Sequence, residues 1–133
     1  MKYDDFIKEV QTRGRLSSQG EAVQAIRATL EVLGQRITQK EAEHLASELP
    51  QEIGVYLRDA GDTERFDLDE FFERVNKIEK SSVDLAESVH HARAVISVVK
   101  DAISEGEIND ILAQLPDEFE PLFKSGSEGP MNK

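Results

Sequence analysis

Two Glu-x-x-His pairs, Glu41/His44 and Glu87/His90, are the best-spaced candidates for chemistry in this chain. Residues three apart share a helix face. Helical bundles that hold two metal ions use two such pairs plus a glutamate from each of two further helices. Three features argue against a metal centre. Both glutamates fall at the third position of a predicted helix, where a capping role already accounts for them. The chain carries an internal repeat, and the pairs occupy non-equivalent places in it, their counterparts being Glu107/Asp110 and Glu21/Gln24. The helix carrying His44 also reads as only about ten residues long, short for a site needing supporting hydrogen bonds. We therefore read both pairs as caps and expect neither metal nor cofactor.

The other candidates are weaker. Asp59 to Glu70 has acid at the first and twelfth positions of a calcium loop. It has Glu64 where the sharp turn needs glycine, and Gly61 where a side-chain oxygen is needed. Asp67 reads instead as a helix N-cap with Glu70 as its partner. His90 and His91 are neighbours, so their rings project about 100° apart on a helix and cannot chelate one ion together. One should pack at a helix contact and the other be solvated. Arg27 and Arg93 are expected to pair with nearby carboxylates. No Gly-x-Ser-x-Gly elbow and no glycine-rich phosphate loop is present. No catalytic residue is assigned, and a non-enzymatic role is the expectation.

The elements that would position these residues obey the repeat. Val23, Ile26, Leu30, Leu33 and Ile37 recur at spacings of three and four, followed by Thr38 and Glu41, then Leu49-Pro50-Gln51-Glu52. At an offset of 66 come Val89, Ala92, Ile96, Val99 and Ile103, then Ser104 and Glu107, then Leu115-Pro116-Asp117-Glu118. Upstream, Tyr3 to Val10 matches Leu68 to Val75 at an offset of 65. Such an echo fixes an architecture before any single residue is interpreted.

The first helix is predicted over Tyr3 to Thr12, with Phe6, Ile7 and Val10 inward and Gly14 as a left-handed cap. Ser18/Glu21, Thr38/Glu41, Asp84/Glu87 and Ser104/Glu107 read as capping boxes. Ala42, Leu45, Ala46 and Leu49 form the buried side of the third helix. Pro50 stops it and opens a fourth carrying Ile53, Tyr56 and Leu57, with Gly54 a weak point. Ile108, Ile111, Leu112 and Leu115, then Phe119, Leu122 and Phe123, replace these in the second copy. The expected fold is all-α: two tandem four-helix repeats, 1–58 and 66–124, joined by a linker at 59–65. They should pack about a pseudo-two-fold axis into one compact helical domain around the second and sixth helices. Residues 125–133 should be a disordered tail.

Composition sets the outer bounds. At 133 residues one compact domain is expected. The 27 acidic against 16 basic residues give a net charge of −11, which disfavours nucleic acid and anionic membrane surfaces. With no cysteine, disulfides and thiolate metal sites are excluded. The acidic Asp4-Asp5 start does not read as a signal peptide, and no apolar run approaches the roughly 20 residues that span a bilayer. The expected location is the cytoplasm.

The paired Asp-Asp/Glu-Phe helices, the long Ala/Val/Leu helices and the two Leu-Pro-x-Glu segments resemble the bacterial family catalogued as domain of unknown function 2267. The resemblance covers about Met1 to Lys124 and implies a small, all-helical cytosolic protein. It carries no activity, so it assigns no catalytic residue. From the residues, the leading expectation is an acidic helical interaction or scaffold protein with a protein partner or a second copy of itself. The alternative is a metal-dependent or small-molecule-binding protein using carboxylate/His pairs between the repeats.

Overall fold

A computed structural model describes residues 1–79 and 83–124. The tail expected at 125–133 lies outside the described residues. Eight α-helices follow in chain order: α1 (Tyr3–Arg13), α2 (Gln19–Arg36), α3 (Gln39–Ser47), α4 (Gln51–Arg58), α5 (Leu68–Glu79), α6 (Leu85–Ala102), α7 (Glu105–Ala113) and α8 (Glu120–Lys124). A 3₁₀ turn, Asp117–Phe119, precedes α8, and there is no strand among the described residues. The described residues fold as helices without a strand, as the periodicity predicts.

The element bounds keep the sequence offset. α2 and α6 both have 18 residues, and α3 and α7 both have 9. The correspondence ends at the fourth helix, where α4 is one continuous helix but the segment at the same offset begins as a 3₁₀ turn. Pro121 explains this, since it has no N–H to donate to the carbonyl of Asp117 four residues back. The Glu120 N–H bonds three residues back to Asp117 O, whereas its counterpart, the Gly54 N–H, reaches four back to Pro50 O.

α2 and α6 are the axis of the packing. α2 lies against α1, α4, α5 and α6, and α6 lies against α1, α2, α5 and α8. Each therefore packs on the first helix of both copies. α2 can be surrounded because small residues alternate with large ones: Ala22, Ala25, Ala28 and Gly34 are buried beside Ile26, Leu30 and Leu33. Val23 and Val89, placed in the core stripe by spacing, are half-buried at its edge. One apolar cluster runs from Phe6 in α1 to Phe123 in α8.

Local details differ from the predicted ones. Gly14 is right-handed, at φ −83°, and Arg15 takes the left-handed position at φ 53°. Leu16 N to Gln11 O and Arg15 N to Thr12 O complete a Schellman end. Gly14 is needed for closeness, since a Cβ there would meet the Val10 carbonyl oxygen at 2.9 Å. Gly54 is likewise not a weak point: its missing Cβ lets α4 approach α3, where the Ala46 carbonyl oxygen would be 2.9 Å away. Pro50 is the N-cap of α4 and not its first helical residue.

Candidate functional site

The predicted caps form, but their glutamates do not all fold back as a capping box requires. The Ser18, Thr38, Asp84 and Ser104 side chains each accept the N–H three residues on. Glu87 returns its carboxylate to the Asp84 N–H, closing that box. Glu21 instead takes the N–H and hydroxyl of Ser17, at 3.2 and 2.8 Å. In α3 and α7 the reciprocal partner comes from the other helix. The Thr38 N–H donates to Gln114 Oε1 at 3.0 Å, and the Ser104 N–H donates to Glu48 Oε1 at 2.8 Å. Gln114 is the C-cap of α7 and Glu48 the C-cap of α3, so each helix end closes the start of its neighbour.

This exchange leaves Glu41 and Glu107 free of capping duty and facing each other across the seam between α3 and α7. Glu41 is 7% exposed and Glu107 5%. No other group donates to the Oε2 of either, so the only hydrogen bond open to these two atoms is a proton shared between the carboxyls. One ligand atom from each of Glu41, His44 and Glu107 lies within 4.8 Å of the other two. The Gln114 amide donates to Glu41 Oε1 at 3.3 Å. Its orientation is forced, because the Thr38 N–H can meet only the amide oxygen.

The electrostatics of the pair are one-sided. Burial, then the hydrogen bond and charge of Glu41, then the charges of Glu48 and Asp110, push the Glu107 carboxyl up from 4.5 to about 8. Near neutral pH Glu107 therefore holds a proton that it can donate to Glu41.

The second Glu-x-x-His pair does not join this site. Glu87 is exposed and spent on the α6 cap, and His90 is half-buried, not solvated as expected. His91 is the buried histidine. Its Nδ1 lies 2.8 Å from Glu79 Oε2, and the Ser88 hydroxyl donates to Glu79 Oε1 at 2.7 Å. The 59–70 segment is a connector: Gly61 is left-handed at φ 95°, and Glu64 pairs with Arg74 at 3.2 Å. Asp67 caps α5 through the Glu70 N–H, while the Glu70 carboxylate pairs with Arg74. Arg27 pairs with Glu31 at 2.9 Å, as expected, and Arg93 is half-buried, its pKa lowered by that burial.

Sequence reasoning missed Glu107 as the partner of Glu41/His44, and with it Gln114, Glu48 and the Glu79/His91 pair. The signal for the first was present: Glu107 is the counterpart of Glu41 at the repeat offset. Residues that correspond in two copies meet at any axis relating them, provided they face it.

No helix among the described residues is long and apolar enough to cross a membrane. No curated protein matches the chain. A family model described as "Uncharacterized conserved protein (DUF2267)" matches residues 3–122, and the chain belongs to that family.

Proposed function

We propose that the protein works by binding, as a small acidic helical interaction protein, and that the α3–α7 seam is its working part. The observation that supports this is the buried pair, Glu41 and Glu107, whose Oε2 atoms receive no hydrogen bond from the groups around them. Placing two carboxyls together out of water is costly unless a proton or a cationic group lies between them. The charges bearing on Glu107 come from Glu41, Glu48 and Asp110, all acidic. The seam is therefore suited to receive positive charge from a partner, and doing so would draw α3 and α7 together.

The test is a thermal melt with cationic ligands at matched ionic strength, using an oligolysine peptide and, separately, divalent salts. A ligand at a hundred times its Kd adds ~2.7 kcal/mol, a rise of roughly 5–15 °C for a domain of this size. We expect that rise in the parent protein and its loss in the Glu41→Gln/Glu107→Gln double variant. If no cationic ligand moves the transition, or if the double variant responds like the parent, the reading is wrong.

A further inference from the structure

The seam has the donor set of a metal site as well as its charge, and a metal there deepens the reading of the seam as the protein's working part, on which it rests. Glu41 and His44 share one face of α3, and Glu107 reaches the same point from α7. Atoms bound to one ion at about 2.1 Å lie no more than ~4.2 Å apart. Three such atoms placed tetrahedrally lie ~3.4 Å apart, so the observed limit of 4.8 Å needs each side chain to move by up to ~0.8 Å. Nearly all buried polar atoms have a hydrogen-bond partner. The Oε2 atoms of Glu41 and Glu107 have none beyond a proton shared between them, although both residues are more than nine-tenths buried. A shared proton would answer the two carboxyls alone, but it gives no role to the third donor, an exposed imidazole beside them.

We propose that Glu41, His44 and Glu107 bind one divalent transition ion of the manganese-to-zinc series, with at least one coordination position left for water or a ligand group. Calcium and magnesium take oxygen ligands, whereas an imidazole with two carboxylates suits manganese, iron, cobalt or zinc. Gln114 supplies the orienting contact such sites use, its amide on Glu41 and its own oxygen fixed by the Thr38 N–H. Ligands drawn from α3 and α7 make the ion a clasp between the two copies.

The test is equilibrium dialysis of the full chain, stripped with chelator, against Zn²⁺, Mn²⁺ and Co²⁺, with the visible spectrum of the cobalt form as a second readout. We expect one ion per chain. Losing an orienting contact weakens metal sites about 10–100-fold, so Gln114→Ala should fall in that range. His44→Ala and Glu107→Gln should each lose more, with circular dichroism showing the helices intact, while His90→Ala binds like the parent. Failure to bind any of the three ions overturns the proposal, as does stoichiometric binding unchanged by His44→Ala or Glu107→Gln. If oligolysine raises the melting temperature while no metal binds, the metal site falls and the interaction reading stands. If neither ligand acts, both fall.

Discussion

At the scale of single residues, the seam turns on one difference between the copies. Gln114 and Glu48 occupy equivalent C-cap positions, and each accepts the N–H of the opposite N-cap. The amide of Gln114 has a donor left for Glu41, whereas Glu48 brings a second negative charge toward Glu107. The proton therefore belongs on Glu107. Its folded value of about 8 exceeds the ordinary 4.5, so in metal-free protein the folded state holds more protons than the unfolded state between those values. Stability from this group is then fully present below about 4.5, falls as pH rises through the window, and is flat above it. Glu107→Gln keeps an amide donor for Glu41 and removes the titration. Urea unfolding in chelator should show the variant equal to the parent near pH 4.5 and more stable by a few kcal/mol at pH 8. A parent–variant difference independent of pH would refute the shared proton. The spacing Thr38/Glu41 and Ser104/Glu107 was enough to place both helix starts. It could not say whether each glutamate folds back or crosses over, because the competing acceptors lie 76 and 56 residues away.

At the scale of elements, α5 and α6 are joined by a buried polar cluster that no periodicity announces. Glu79 ends α5, where the helix dipole disfavours negative charge. It is held by the Ser88 hydroxyl and the His91 ring from α6, and Gln24 of α2 donates to its backbone carbonyl at 3.0 Å. Asn76 adds a bond to Ser88 at 3.1 Å and one to the Val83 carbonyl at 2.8 Å. The hydrogen bond to Glu79 raises the His91 pKa above 6.5, burial opposes it, and the charges of Glu79, Glu87 and Glu21 add to it. A raised histidine contributes stability that is complete below its unfolded value and is lost as pH rises through its folded one. NMR titration should find His91 ionising above 6.5, and Glu79→Gln should bring it back down. Near pH 6, Glu79→Ala should cost about 3–5 kcal/mol, because it strands a buried partner. Element bounds were legible from caps and spacing, α2 and α6 above all, since each has a polar N-cap and a long apolar stripe. The cluster was not, because Glu79 and His91 look like any charged pair until α5 is laid against α6.

For the whole molecule, the question is whether the copies are two small units in contact or one interior. The packing favours one. α1 lies on α6 as well as on α2, and α5 lies on α2 as well as on α6, so the first helix of each copy covers the long helix of the other. Arg36 of α2 ties the ends together, donating to the Phe66 carbonyl at 2.7 Å with its guanidinium 5.5 Å from the Phe119 ring centroid. A four-helix copy alone would be close to the size at which a core becomes marginal. Leu30 and Ile96 occupy corresponding positions at the centre of α2 and α6, and both are fully buried. Leu30→Ala and Ile96→Ala should each cost about 2–5 kcal/mol, as truncations of packed aliphatics do. The form of the transition is the sharper measurement. With one interior, each variant lowers the midpoint of a single urea transition, followed by fluorescence of the tyrosines and by circular dichroism, and leaves its slope unchanged. With two units, Leu30→Ala would split the curve, the half carrying it unfolding early and the other at the parental midpoint. Coincident, unsplit curves for both variants are the expected result, because the surface that α1 and α5 bury crosses between the copies.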